Sequence, residues 1–249
     1  MGLKRYKVIV SYDGTNYNGW QRQNNGIGIQ EIIEKLLYKI TKEKIEIIGS
    51  GRTDKHVHAL GQVFHFDTSN SMTANNFKMA LNGLLPNDIY IKDIEEVNCN
   101  FHARFSAIKK MYIYKINTEN YDPLLYNYTY HQKNKLDIEL MEECSKIFIG
   151  EKDFSSFCAN TFDIHPDQIR TIYDIKFSQI NNILEIEFIG NGFLRYMVRM
   201  ICACLIQVGN HKLSIDKAQE ILNEKSKEAF KFNAVANGLY LKGVIYDND

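Results

Sequence analysis

"IEIIGSGRTDKHVHALGQVFHF", residues 45–66, reads as two apolar strands joined by a turn crowded with ionisable groups. IEIIGS (45–50) and QVFHF (62–66) are rich in β-branched and aromatic residues, the composition of a pleated, buried element. Between them stand Arg52, Asp54, Lys55, His56 and His58, and His65 lies in the second strand. Gly49 and Gly51 let the backbone turn tightly and admit a bulky ligand.

Outward from this pair the pattern is regular. YKVIVSY (6–12) alternates as a strand, and IQEIIEKLLYKI (29–40) repeats apolar residues at helical spacing. Downstream, Thr73 caps a helix ANNFKMALNGLL that Pro86 terminates, and IYIKDIEEV (89–97) closes the set. The second half repeats the order. MYIYKI (111–116) is a strand, Asp137 caps IELMEECSKIFIG, and TIYDIKFSQ and ILEIEFIG pair around Asn181 and Asn182. FLRYMVRMICACLIQVG (193–209) reads as one long buried helix, a further helix follows Ser214, and GLYLKGVIY (238–246) is a final strand.

Two successive βαββαβ units are the ferredoxin-like pattern. The expected fold is α+β: two ferredoxin-like domains, each an antiparallel sheet with helices on one face. The boundary falls near NFHARFSAIKK (100–110), giving domains 1–104 and 105–249. The uncovered sheet faces must meet each other, a partner chain or a ligand.

Thirty Lys and Arg balance thirty Asp and Glu in 249 residues. Zero net charge argues against a general polyanion binder but allows a local basic cleft. The five cysteines form no C-x-x-C pair, which fits reduced thiols in a cytosolic protein. MGLKRYKVIVSYDG has no apolar leader region, and MICACLI is too short to span a bilayer.

The crowded turn allows three chemistries. Asp54, His56 and His58 are spaced by two, so an extended backbone would put them on one face as metal ligands. Alternatively, Asp54 beside Arg52 and Lys55 is a carboxylate held ionised, fit to attack an electrophilic carbon. Thirdly, an Asp–Arg pair simply fixes a surface loop.

GRTDKHVHALGQV resembles the catalytic signature of the tRNA pseudouridine synthase A family, whose usual form reads GRTD-x-G-VHA-x-GQV. Further blocks resemble that family in order: YDGTNYNGWQRQ (12–23), NFHARFSAIKKMYIYKI (100–116), DFSSFCA (153–159), RTI (170–172), NGFLRYMVRMI (191–201) and FNAVANGLYLKGVIY (232–246). The resemblance implies isomerisation of uridine to pseudouridine at positions 38, 39 and 40 of the tRNA anticodon arm. It also implies a homodimer, no cofactor and no metal. With the cysteine and hydropathy patterns above, the expectation is a cytoplasmic protein with an RNA-binding cleft flanked by the two domains and no membrane partner. Asp54 matches the nucleophile, Arg52 the arginine that helps expose the target base, Tyr112 the tyrosine that stacks on uracil, and Arg199 the arginine that pairs with the carboxylate.

Plainer roles stand beside these. Tyr112 on an alternating strand also suits a core, and Arg199 in an apolar helix also suits a buried ion pair. Arg195, one helical turn earlier, is a possible phosphate contact, whereas Lys109 and Lys110 suit a solvated strand end. His56 stands where the pattern has glycine and Val235 where it commonly has proline. If that glycine adopts a positive φ, His56 must do so too, at a cost of roughly 1 kcal/mol. A non-catalytic or retargeted RNA-binding relative of the same fold is the alternative reading.

Overall fold

The computed structural model describes residues 2–24, 26–159 and 167–247. By contact these form two compact units. One takes the chain up to Ile108 together with the C-terminal segment from Tyr240, and the other is Lys109–Leu239. Each is α+β with a mixed sheet.

The first unit begins β1 (Lys4–Tyr12), α1 (Ile29–Thr41), β2 (Ile48–Gly49), β3 (His58–Thr68), α2 (Ala74–Asn82), β4 (Ile89–Val97). β1 runs antiparallel to both β3 and β4, and β2 runs antiparallel to β3, so the order is β4-β1-β3-β2. One face is apolar by strand periodicity. Tyr6, Val8 and Val10 lie with Phe64 and Phe66, and the helices bring Ile29, Ile33, Leu37, Phe77 and Leu81, all fully buried. Tyr6 stacks on Phe66 at 5.4 Å and leans on Phe77 at 5.2 Å.

β2 is shorter than the 45–50 strand that the apolar run predicts. Ile47 has its N–H bound to Glu34 Oε1 at 3.1 Å and its carbonyl to Gln30 Nε2 at 3.3 Å. Both groups therefore go to side chains of α1 instead of a sheet neighbour. This also explains a buried glutamate on an apolar helix face, which Arg22 neutralises as an ion pair.

The turn 98–106 packs onto the other face. Arg5 forks onto Asp67 and donates to the carbonyls of Cys99 and Phe101. Buried His65 accepts from Ala103 N–H at 3.1 Å through Nδ1 and meets the rings of Phe101 and His102 edge-on. Tyr246 donates its hydroxyl to the Ala103 carbonyl at 2.8 Å.

The second unit holds β5 (Ala107–Asn117), β6 (Tyr130–His131), α3 (Ile138–Ser145), β7 (Gly150–Asp153), β8 (Ile169–Ile180), β9 (Ile183–Gly190), α4 (Met197–Gly209) and α5 (Ile215–Glu224). Its antiparallel order is β5-β9-β8-β7, with β6 parallel to β5. β9 alternates buried and half-buried residues along its length. Asp137 and Ser214 cap α3 and α5 with their side chains, as Thr73 caps α2. α4 starts at Met197 and not at Phe193, because Tyr196 sits in the left-handed region at φ 64.

The last strand, β10 (Leu239–Tyr246), pairs parallel with β3 through Tyr240↔His58 and Leu241↔Ala59. The division at 104/105 puts this strand in the second half of the chain, whereas the segment from Tyr240 groups with the first unit. Among the described residues no helix is long and apolar enough to cross a membrane.

Burial, with the Arg5 guanidinium next in effect, lowers the His65 imidazole from its usual 6.5 to about 4. Below pH 6.5 the folded state then binds fewer protons than the unfolded chain. Unfolding free energy should be full above pH 6.5 and fall as pH drops towards 4, by about 3 kcal/mol. His102 is lowered in the same direction, chiefly by burial, so it adds to the slope. Urea unfolding across this window should show the fall, and His65→Gln should flatten it without abolishing it. An unchanged slope in that variant would refute the assignment to His65.

Candidate active site

Asp54 lies half-buried on the loop between β2 and β3, and this loop is clamped from both sides. Behind it, Ser50 donates to Gln62 Oε1 at 2.7 Å, and the Gln62 amide donates to the Gly51 carbonyl at 3.0 Å. In front lies the segment after β1. Trp20 N–H donates to the Thr53 carbonyl at 3.1 Å and His56 N–H to the Tyr17 carbonyl at 3.3 Å. The hydroxyls of Tyr12 and Thr53 meet at 2.7 Å, fully enclosed. Val57 N–H closes the turn onto the Asp54 carbonyl at 3.1 Å.

The approach is close enough to dictate residue type at two positions. A Cβ on Gly14 would fall 2.1 Å from the Val57 carbonyl oxygen. A Cβ on Gly19, at φ 89, would fall 2.4 Å from that of Thr53. Thus YDGTNYNGW supplies the surface on which the Asp54 loop is set. Thr53, Tyr12, Tyr17 and Trp20 are positioning residues that reading for chemistry-bearing side chains passed over. The signal for them was the pair of glycines among aromatics.

Arg52 is exposed, two residues from Asp54 on the same loop. His58 is buried, with Nδ1 at 3.1 Å from both the Gly14 nitrogen and Asp13 Oδ1, and its ring stacks on Tyr240 at 4.6 Å. His56 is exposed and its Nδ1 lies 2.7 Å from the Thr15 carbonyl, so that nitrogen carries the proton. The two imidazoles are thus directed to different partners. Among the described residues no group of three His, Cys, Asp or Glu is placed to hold a metal ion.

In the second unit, Tyr112 is half-buried on β5, opposite Phe188 and edge-on to Phe193 at 5.3 Å. Arg199 stands in the first turn of α4, where a cation opposes the helix dipole. Its Nε donates to the Ala234 carbonyl at 2.8 Å, its own carbonyl accepts from Ala234 N–H at 3.1 Å, and its guanidinium lies 5.0 Å from the Tyr196 ring. Arg195 precedes the helix instead of lying one turn back on it, yet its guanidinium reaches the same ring at 4.8 Å. Val235 has φ −60 and ψ 150, the backbone that proline would impose, and its carbonyl accepts from the Tyr114 hydroxyl at 3.0 Å.

The chain matches the family model described as tRNA pseudouridine synthase over residues 8–106 and 144–247. Arg52, Asp54 and Arg199 fall inside those segments and Tyr112 between them. Over 247 residues it is 43% identical to the tRNA pseudouridine synthase A of Geobacillus sp. (strain WCH70), covering 98% of this chain and 99% of the relative. The Bacillus subtilis (strain 168) protein of that name is 42% identical over 247 residues, covering 98% and 100%. The Mycoplasma genitalium one is 39% identical over 246 residues, with the same coverages.

His56 has φ 65, so the residue that stands in place of glycine does carry the backbone strain. Its bond to Thr15 offsets that strain. His56→Gly removes both and should stay within about 0.5 kcal/mol of wild type. His56→Ala keeps the β-carbon and loses the bond, so it should be less stable than His56→Gly by about 1 kcal/mol. Urea unfolding of the two variants checks this; equal stabilities would show that φ carries no cost here.

Proposed function

The chain belongs to the tRNA pseudouridine synthase family, and on that premise we propose that it isomerises uridine to pseudouridine at positions 38, 39 and 40 of the tRNA anticodon arm. The observation that carries the reading is Asp54, half-buried on a loop whose backbone is clamped on both sides within the GRTD motif.

The reaction breaks the N1–C1′ glycosidic bond, rotates the uracil and forms a C5–C1′ bond. The proton on C5 is lost and N1 gains one, so the product is an isomer of the substrate. A base must leave the stack to be reached. Asp54 is the nucleophile. It bonds either to the anomeric carbon as the base departs or to C6 of the ring, and it is released when the C5 bond has formed. Arg52, exposed beside it, holds the displaced strand or base. Tyr112 offers a ring face to the uracil, worth roughly 1–3 kcal/mol. Arg199 supplies a guanidinium to offset the negative charge of the reacting group. None of these bond changes calls for a redox group, and we assign no cofactor or metal. We read the units as ferredoxin-like domains, which the strand order β4-β1-β3-β2 supports for the first. The protein acts in the cytoplasm as a homodimer, a state that light scattering tests.

Mapping pseudouridine in unmodified tRNA transcripts treated with the pure protein tests the reading as a whole. Modification at 38–40 is expected, and none at any uridine would favour a binding-only relative. Asp54→Asn and Asp54→Ala should lower turnover by about 1000-fold or more while leaving tRNA affinity within a few fold. Near-normal turnover by Asp54→Ala would sink the mechanism. Affinity should also fall as salt rises, because phosphate contacts release counterions; salt-independent binding would count against tRNA as the substrate.

A further inference from the structure

Among the described residues Phe105 is the most exposed Phe, Tyr or Trp, at 76%. A phenyl ring left in water is ordinary in a mobile loop, but this turn is tightly built. Ser106 N–H donates to the His102 carbonyl at 2.9 Å, and His102 N–H donates to Ser106 Oγ at 3.0 Å. His102 Nδ1 accepts from both Arg104 N–H and Phe105 N–H at 3.2 Å. Ala103 between them is buried and held by His65 and Tyr246. The Phe105 ring lies against His102 at 4.4 Å and 29°, and the Arg104 guanidinium stands 5.7 Å from its centroid.

The ring is thus oriented by its own turn yet presented to solvent. Arg104 beside the ring is exposed, and the turn 98–106 itself holds no Asp or Glu, in a chain whose net charge is zero. An open aromatic face beside a cation is the pairing that single-stranded nucleic-acid sites use, where bases stack and phosphates are neutralised. Pre-ordering the ring reduces the entropy lost when a base settles on it.

We propose that Phe105 is a base-stacking platform: an unpaired nucleotide of the RNA substrate stacks on its open face while Arg104 meets the adjoining phosphate. This rests on the tRNA reading above and adds a contact outside Asp54, Arg52, Tyr112 and Arg199. An exposed ring with an exposed guanidinium at its side favours RNA over a protein partner for this surface.

The test measures affinity for an unmodified tRNA transcript and single-turnover pseudouridine formation in wild type, Phe105→Ala, Phe105→Leu and Phe105→Trp. Ala and Leu should weaken binding about 5- to 100-fold, the range of one lost stack. Trp should bind as well as wild type or better, and its fluorescence should be quenched by tRNA against the buried background of Trp20, 3% exposed. All three variants should keep the wild-type unfolding midpoint, since the ring is exposed. Wild-type affinity and turnover in both Ala and Leu would overturn the platform while leaving the tRNA reading intact. So would a change of oligomeric state in Ala with RNA affinity unchanged, which would mark a protein contact. If wild type itself neither binds nor modifies the transcript, the tRNA reading fails and the platform with it.

Discussion

The carbonyl of Thr53 is the point on which the setting of the Asp54 loop turns. It accepts from Trp20 N–H, and it sits where only the absence of a side chain at Gly19 leaves room. Through that contact two distant stretches of chain become one support, and Asp54 follows one residue further on. The same logic holds behind the loop, where the Gln62 amide reaches the Gly51 carbonyl and its oxygen is used by Ser50. The Asp54 loop is held through its backbone groups and not by long flexible side chains.

The period-two and period-3.6 patterns carried most of the fold, because strands and helices here each bury one face. Where they misled, a specific competitor won. Ile45 and Ile47 are as buried as any strand residue, yet Glu34 and Gln30 take the Ile47 backbone, and no hydrophobic pattern encodes that. Tyr196 looks like another apolar helical position, but its left-handed backbone delays α4. β10 has the composition of any strand, and composition carries no information about which strand it will meet.

Asp54 and Arg52 were legible because a motif concentrates them. The residues that set the loop were not, since a glycine's significance lies in a neighbour 30 or more positions away. His56 is the intermediate case: its substitution for glycine was visible, and its φ followed. What the sequence could not supply was the Thr15 carbonyl that compensates for it.

The pairing of β10 with β3 has a consequence in time. His58, at the end of the Asp54 loop, stacks on Tyr240 and faces it in register. A ribosome adding 5–20 residues per second needs roughly 10–35 s after finishing β3 to reach the end of β10. During that interval the nascent chain already carries Asp54 but lacks the strand that packs on the loop's far end. The loop therefore gains its final packing among the last events of synthesis, and no chain that stops short of β10 can hold it as the complete chain does.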